Sequence, residues 1–186
     1  MMKIKLFALL LGVLLLGMIP SSATAQTEAN SDCFTELAPM TTADGVEFVR
    51  TPDACFEGLP NWEYEARYVE IDGLRQAYFD VGSGESGETI LLLHGQPSWS
   101  YLYRKMIPVL AEEGHRVIAM DHLGFGRSDK PIDPDYYTYT GHVERLQTFI
   151  QHLELEQGTL TLFAQDWGSL IGLQVVGRIR TGLTVW

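Results

Sequence analysis

The sequence predicts an α/β fold, built on a mostly parallel sheet with flanking helices. Three observations indicate it: short apolar runs of strand length recur, helical segments lie between them, and polar clusters follow each run directly. The runs extend from Thr89 to Leu93, from Arg116 to Met120 and from Thr159 to Ala164. A continuous apolar run bounded by turn residues is typical of a strand that is buried on both faces of a parallel sheet.

A β-hairpin is predicted before the first of these runs. Arg67 to Ile71 and Gln76 to Val81 carry β-branched and aromatic residues, and Asp72-Gly73 between them is a two-residue turn signal. No internal repeat is present.

Two helices are predicted between the apolar runs. The first extends from Tyr101 to Glu113, with Gly114 as its C-terminal cap, and the second extends from Thr140 to Leu153. The apolar face of the first helix is predicted to consist of Leu102, Met106, Val109 and Leu110. Alternating strands and helices at these spacings predict parallel βαβ units, with ligand chemistry beyond the carboxyl ends of the strands.

Residues 1–25 have the pattern of a secretory signal peptide. Lys3 and Lys5 precede the apolar run Leu6 to Ile19, and the small residues Ala23-Thr24-Ala25 follow it. We expect cleavage after Ala25, a periplasmic or secreted protein and no stable membrane anchor. An uncleaved anchor is the alternative, although the run is shorter than the roughly 20 apolar residues of a spanning helix.

Composition and charge limit the partners of the remaining chain. Residues 26–48 are rich in Thr, Ala, Asp and Glu without apolar periodicity, so a linker is predicted there and the core domain at 49–186. The formal net charge is −11, and basic residues are not clustered beyond the first few positions. This charge disfavours nucleic acid and anionic membrane surfaces and favours a neutral or apolar small substrate.

The chain has two cysteines, Cys33 and Cys55. In an oxidising compartment they could form a disulfide, and two unpaired thiols are the alternative. Neither has a His or a further Cys at metal-ligand spacing, so we expect no metal and no cofactor.

Polar clusters follow all three apolar runs, where a parallel sheet gathers its active site. They are His94-Gly95-Gln96-Pro97, Asp121 to Asp129, and Gln165-Asp166-Trp167-Gly168-Ser169. The third has the form of a nucleophile elbow, a sharp strand-to-helix turn that exposes one side chain, here Asp166. A helix N-cap is the other explanation for an Asp at this position.

Three segments together resemble the N-terminal signatures of haloalkane dehalogenases: His94 to Pro108, Asp121 to Pro131 and Gln165 to Gly168. The resemblance covers roughly Arg50 to Gly177. Epoxide hydrolases share the His-Gly and Gly-Phe-Gly-Arg-Ser-Asp patterns, so the long Trp99 to Pro108 run together with Asp166-Trp167 is the specific part.

The resemblance implies that Asp166 is a nucleophile that attacks the carbon bearing a halogen and forms an alkyl ester. The indole N–H of Trp167 would bind the leaving halide, with core packing as the alternative role. The backbone N–H groups of Gln96 and Trp167 would form the oxyanion hole. Gln96 stands where the family usually carries Glu or Asn, and its amide could also donate to halide or water. The implied partners are a small apolar halogenated substrate, water and halide.

The remaining polar residues are interpreted as structural. We expect His94 to tie loops together and the Asp121 to Asp129 segment to form a turn network that shapes the pocket floor. His115, His142 and His152 are predicted on solvent faces, and His122 lies nearer the pocket but is also expected to be structural.

The resemblance further implies an incomplete α/β-hydrolase fold, the N-terminal part only. The family's histidine base, its acid partner, the late strands and the helical cap are absent from this sequence. We therefore expect no turnover or the first half-reaction only, an unpaired edge on the strand Thr159 to Ala164, poorly covered sheet faces and poor folding. An epoxide hydrolase-like fragment and a non-catalytic product are the alternative functions.

The last ten residues, 177–186, do not match the loop and Val-rich strand expected at this point. One back-translation in a shifted frame gives Pro-Asn-Pro-Asp-Trp-Phe-Asp-Arg-Val, which does. A frameshift is therefore a hypothesis, and sequencing the gene would test it.

Overall fold

A computed structural model describes residue 33 and residues 36–178 and 183–185. The predicted signal peptide and its cleavage site lie outside these residues. The first strands, β1 (Met40–Thr41) and β2 (Glu47–Val49), pair antiparallel, and β2 also pairs with β7 (Lys130–Pro131). Phe48 of β2 is buried beside Leu74 and Leu123. Folded backbone therefore extends upstream of Val49 into the predicted linker, because Phe48 finds an apolar site in the domain.

The main sheet has six strands in the order β3-β4-β6-β5-β8-β9. Their bounds are β3 (Arg67–Ile71), β4 (Leu74–Val81), β5 (Glu88–Leu93), β6 (Arg116–Met120), β8 (Thr159–Ala164) and β9 (Leu183–Val185). The pairs β3–β4 and β4–β6 are antiparallel, and the other three pairs are parallel. The predicted α/β class, the hairpin and the three apolar strands are confirmed. Asp72 and Gly73 both have positive φ, 52° and 72°, as the predicted two-residue turn requires.

Within residues 36–178, three α-helices flank the sheet: α1 (Met106–Glu112), α2 (Tyr139–His152) and α3 (Trp167–Val176). The helix predicted over 140–153 is confirmed to within one residue at each end. The helix predicted from Tyr101 begins later, after a 3₁₀ turn over Ser100–Tyr103. Pro108 explains the difference, because proline lacks an N–H and its ring clashes with the carbonyl four residues earlier unless it lies in the first helical turn.

The later start of α1 also changes which side chains it buries. Ile107 is fully buried, whereas Leu102 and Val109 are 44% and 59% exposed. The predicted apolar face was therefore wrong in part. Residue 102 belongs to the 3₁₀ turn, so it no longer shares a stripe with Met106, and the inward stripe is centred on Ile107.

Both faces of the sheet are covered at β5. Alternate residues of β5 point to opposite sides: Ile90 and Leu92 pack in a cluster with Trp62 and Ile107, while Leu91 and Leu93 pack in a cluster that includes α2 and α3. The expectation of poorly covered faces is therefore wrong at β5, whereas on β8 the side chain of Phe163 is 37% exposed. The expected unpaired edge on β8 is also absent, because residues 183–185 pair with β8 in parallel register, Leu160 with Leu183.

The segment before β3 is fastened to the domain by aromatic and covalent contacts. Cys33 and Cys55 form a disulfide, and Phe56 beside it contacts the ring of Trp99 edge-on at 5.2 Å between centroids. None of the helices in the described part of the chain is long and apolar enough to span a membrane.

Candidate active site

The turn from β8 into α3 has the geometry of a strained elbow. Asp166 has φ 53° and ψ −125°, a conformation that costs a non-glycine residue on the order of 1–3 kcal/mol. The helix can start so close to the sheet because residue 168 is glycine: a Cβ there would lie 2.5 Å from the carbonyl oxygens of Leu93 and His94. The Asp166 side chain makes no helix-capping hydrogen bond, so the N-cap explanation does not describe this geometry.

The Asp166 carboxylate is held against the loop that follows β5. The backbone N–H of Gln96 donates to Asp166 Oδ1 at 2.9 Å. Gly95 permits this approach, since a Cβ on it would collide with the Asp166 side chain. The backbone N–H groups of Trp167 and Gln96 hold the pKa of the exposed Asp166 carboxyl below its usual range. The carboxylate is therefore ionised at neutral pH, with one oxygen tethered.

Trp167 and Gln96 line the pocket next to this carboxylate. The Trp167 side chain is 42% exposed and tilted against Tyr139, with ring centroids 6.4 Å apart. Trp167 does not pack into the core, so core packing, the alternative role for this residue, does not describe the structure. Gln96 is exposed and lines the pocket, and its backbone N–H donates to the Asp166 carboxylate.

His94 uses both of its ring nitrogens in the structure. Nε2 accepts the backbone N–H of His122 at 2.9 Å, so Nδ1 must carry the proton that it donates to the Gly95 carbonyl at 3.0 Å. Burial lowers the pKa of His94, which favours this neutral form. His94 thus ties the β5 and β6 loops together, as the sequence predicts, and has no nitrogen available as a base.

We call the segment from Asp121 to Asp129 the turn network. The carboxylates and the Ser128 hydroxyl of this segment all form hydrogen bonds. Asp121 accepts the backbone N–H groups of Ser100 and Arg127 at 2.8 and 2.9 Å. Ser128 Oγ accepts from the backbone N–H of Ala77 and donates to the Asp121 carbonyl. Asp129 binds Arg50 through both oxygens, at 2.7 and 2.8 Å. These bonds hold the loop that carries His122, as the sequence predicts.

A pocket of about 340 Å³ lies above the carboxyl ends of β5, β6 and β8. Its lining consists of His94, Gly95, Gln96, His122, Gly124, Phe125, Tyr137, His142, Trp167 and Ile171. Burial, His94 and His142 hold the pKa of the fully buried His122 well below its usual range. In residues 36–178, no three His, Cys, Asp or Glu side chains are grouped so as to hold a metal ion.

The prediction that His142 lies on a solvent face was wrong. His142 is half-buried at the pocket, and burial, with smaller effects of Arg145 and His94, lowers its pKa. The first turn of α2 passes beside the pocket, where Tyr137 stacks on His142 at 6.3 Å between centroids. The helical spacing of His142 with the buried Leu146 and Phe149 would have revealed this inward position.

The sequence profile of the α/β-hydrolase fold family matches residues 88–181, which is half of the chain. Two curated relatives are haloalkane dehalogenases. The protein from Psychrobacter cryohalolentis is 48% identical over 138 residues, covering 72% of this chain and 45% of the relative. The protein from Mycobacterium marinum is 50% identical over 138 residues, covering 72% and 46%. The chain thus spans about half the length of these relatives.

Solved structures agree with the profile match. Haloalkane dehalogenase DpaA from Paraglaciecola agarilytica superposes with a TM-score of 0.70 at 44% identity, covering 74% of this chain and 47% of that protein. An epoxide hydrolase from Vigna radiata gives a TM-score of 0.56 at 31% identity, covering 65% and 36%. The chain therefore belongs to the α/β-hydrolase fold family, and within that family it is similar to haloalkane dehalogenases.

Proposed function

We propose that this chain carries the nucleophile of a haloalkane dehalogenase-type hydrolase, with Asp166 as the residue that displaces halide. One observation carries the proposal: the ionised Asp166 carboxylate stands at a strained elbow with Oδ1 bound by the Gln96 N–H, beside the exposed indole of Trp167. Strain at a non-glycine residue persists where the surrounding structure enforces it, which is common at active sites. The similarity to haloalkane dehalogenases supports the same assignment.

The tether on Oδ1 leaves Oδ2 as the attacking atom. Oδ2 forms a bond to the carbon that bears the halogen, the carbon–halogen bond breaks, and the halide leaves with the bonding electrons. The product is an alkyl ester of Asp166. An ionised carboxylate suits this step because no proton has to be removed before attack.

The leaving halide needs hydrogen-bond donors that are already in place. The Trp167 indole N–H and the Gln96 side-chain amide border the pocket beside Asp166, and both are donors without a positive charge. Donors aimed at developing negative charge lower the barrier most when the pocket excludes water. This assigns halide binding to the pair Trp167 and Gln96.

Hydrolysis of the ester places negative charge on Oδ1. Water adds to the carboxyl carbon, the Oδ1 oxyanion forms, and its collapse releases the alcohol and restores the carboxylate. The backbone N–H groups of Gln96 and Trp167 are the oxyanion donors, since both already lower the pKa of this carboxyl. A base must accept the proton of the attacking water.

The disulfide between Cys33 and Cys55 supports the predicted export of the protein. Disulfides persist in the periplasm and outside the cell but are rare in the cytosol. Fractionation of cells that produce the full chain, with the thiol state read by alkylation, tests the compartment.

The test of the function is an adduct assay on the purified 186-residue chain with 1-bromohexane. Intact mass should increase by the mass of one hexyl group, with bromide released. Bromide in a one-to-one ratio with adduct reports the first half-reaction, and sustained release reports both halves. Asp166→Asn should form no adduct, whereas Asp133→Asn, an exposed carboxylate outside the pocket, should react like the parent chain.

A parallel assay with an epoxide separates the second candidate, which the similarity to the Vigna radiata epoxide hydrolase favours. An adduct with styrene oxide but none with 1-bromohexane would mean that Asp166 opens epoxides and does not displace halide. A folded chain that reacts with neither compound would be non-catalytic, and the proposal would be abandoned.

A further inference from the structure

The pocket contains two imidazoles that neither the nucleophile nor the halide donors require. His122 follows β6 and His142 lies on α2, and both rings line the pocket, with centroids 6.0 Å apart. The Nε2 atom of His122 is buried without a hydrogen-bond partner. Neither ring nitrogen of His142 hydrogen-bonds to another described residue of the protein. A buried polar atom without a partner is costly, so such an atom beside a pocket requires a partner there, either a water molecule or a ligand.

The sheet topology sets the distance between this pair and the nucleophile. Asp166 comes two residues after β8, and His122 comes two residues after β6. Because β6 and β8 flank β5 on opposite sides, these positions are about 10 Å apart, twice the spacing between neighbouring strands. A small molecule with its reacting carbon at Asp166 can therefore present its far end to His122 and His142.

The chemistry of the pair selects the group at that far end. Burial lowers the pKa of both imidazoles, so each ring is neutral and has one donor and one acceptor nitrogen. Neutral rings do not favour a carboxylate or an ammonium group, whose charge would be uncompensated. A hydroxyl group both donates and accepts, and it fits either tautomer of either ring. The apolar side chains of Phe125 and Ile171 also belong to the lining of this pocket.

We propose that His122 and His142 bind a hydroxyl group of the substrate, so that the site prefers haloalcohols, with the hydroxyl remote from the halogen, over haloalkanes of the same length. This inference rests on the proposed function, because that function places the halogen-bearing carbon of the substrate at Asp166. His122 and His142 are then specificity-determining residues, and they take no part in breaking the carbon–halogen bond.

The kinetic test compares 6-bromohexan-1-ol with 1-bromoheptane, in which a methyl group replaces the hydroxyl. Adduct formation at Asp166 is followed by intact mass at low substrate concentration. In the parent chain the bromoalcohol should react about 3- to 10-fold faster, the discrimination that a good neutral hydrogen bond provides. His122→Phe should bring the ratio of the two rates close to one, and His122→Asn, which keeps a donor and an acceptor, should restore part of it.

His152→Phe is the matched control, because His152 lies exposed on the same helix as His142 and outside the pocket. It should leave the ratio of rates at the parent value. Circular dichroism and a urea unfolding curve establish that each variant is folded. A parent chain that reacts equally fast with both compounds would overturn the inference and leave the proposed function standing.

A binding test covers the case in which no adduct forms. The Asp166→Asn chain is titrated with 6-bromohexan-1-ol while the imidazole carbon–proton NMR signals are recorded, with His122→Phe and His142→Phe used for assignment. The signals of His122 and His142 should move and that of His152 should stay. If this occurs without any adduct in the parent chain, the hydroxyl site stands and the proposed function fails. Signals that respond equally to 1-bromoheptane would overturn the hydroxyl site.

Discussion

The carboxylates and the hydroxyl of the turn network differ from the side chains that line the pocket beside it in whether their polar atoms have hydrogen-bond partners. In the turn network, Asp121, Ser128 and Asp129 have hydrogen-bond partners for all of their side-chain oxygens, although these residues are fully buried. On the pocket floor, His122 keeps a buried nitrogen without a partner, and Trp167 leaves its indole 42% exposed.

This difference separates polar groups that hold the fold from polar groups that are kept for a ligand. A satisfied buried group is expensive to remove, because its former partners lose their bonds in a dry environment. A buried group without a partner is already unfavourable, so its removal should cost little stability. The comparison can therefore be tested by unfolding measurements on both regions.

The largest effect is expected from Asp129→Asn. The carboxylate binds Arg50 with both oxygens and also accepts the backbone N–H of Arg75 at 2.8 Å. An amide would turn its NH₂ group toward these donors and remove the charge that balances Arg50. We expect the free energy of unfolding to fall by about 3 kcal/mol in urea denaturation. The control Asp44→Asn, at an exposed carboxylate, should change the free energy of unfolding by less than about 0.5 kcal/mol. Equal losses in the two variants would mean that the hydrogen bonds of Asp129 do not stabilise the fold.

Ser128→Ala should cost about 1–3 kcal/mol of unfolding free energy. The Ser128 hydroxyl accepts the backbone N–H of Ala77 at 2.8 Å and donates to the Asp121 carbonyl at 2.7 Å, and alanine leaves both buried groups without partners. Thermal and urea unfolding measure the loss. The variant Ser128→Thr keeps the hydroxyl and should recover part of the stability; a Ser128→Ala chain as stable as the parent would contradict the hydrogen-bond argument.

Lys130 should make stability depend on pH between about 8 and 10. Burial lowers the Lys130 pKa to about 8, against an ordinary value of 10.5, with Asp121 and Asp129 acting in the opposite direction. In this window the unfolded chain binds more protons than the folded chain, so the free energy of unfolding rises with pH. After allowance for solvent screening the gain is on the order of 1 kcal/mol. Urea curves at pH 7.5 and 9.5 should show a larger gain for the parent than for Lys130→Met.

A matched pair of histidine variants tests the pocket floor directly. His94→Leu removes two hydrogen bonds and should cost about 2 kcal/mol, whereas His122→Leu removes a nitrogen without a partner and should change stability by less than about 1 kcal/mol. Both rings are buried and adjacent, at 4.7 Å between centroids, so lost packing is comparable. Equal losses in urea unfolding would show that the free nitrogen of His122 does not distinguish the two regions.

The smallest effect concerns the nucleophile itself. Hydrogen bonds from the backbone N–H groups of Trp167 and Gln96 keep the pKa of Asp166 below its ordinary value of 3.8. The carboxylate therefore stays ionised as the pH falls from 8 to 5, and the rate of adduct formation should not change over this range. A rate that decreases toward pH 5 with a midpoint near 6 would mean that a different group limits the reaction.

Local patterns predicted the fold well because they depend on nearby residues. The continuous apolar run of β5 and the Asp72-Gly73 turn required no knowledge of distant contacts. The start of α1 differs from the prediction because Pro108 requires a place in the first helical turn, whatever the helical spacing of Leu102 and Met106. The burial of Phe48 could not be predicted, since its apolar partner Leu123 lies far along the chain.

The candidate site shows the same division. The elbow at Asp166 was predicted because the strand, the exposed residue and Gly168 are consecutive. The inward position of His142 follows from its helical spacing with Leu146 and Phe149, but its ring contacts do not, because Tyr137 and His122 lie outside the helix. The neutral, two-bonded state of His94 likewise depends on the backbone of His122 in another loop.

The parallel pairing of β5 with β8 has a consequence for synthesis. Glu88 pairs with Thr159, so about 70 residues must be translated before β5 gains this neighbour. At typical translation speeds of 5–20 residues per second, this interval lasts roughly 4–14 s. During that time β5 leaves the ribosome with apolar side chains on both faces and one edge open, the condition in which a nascent chain is most prone to aggregate.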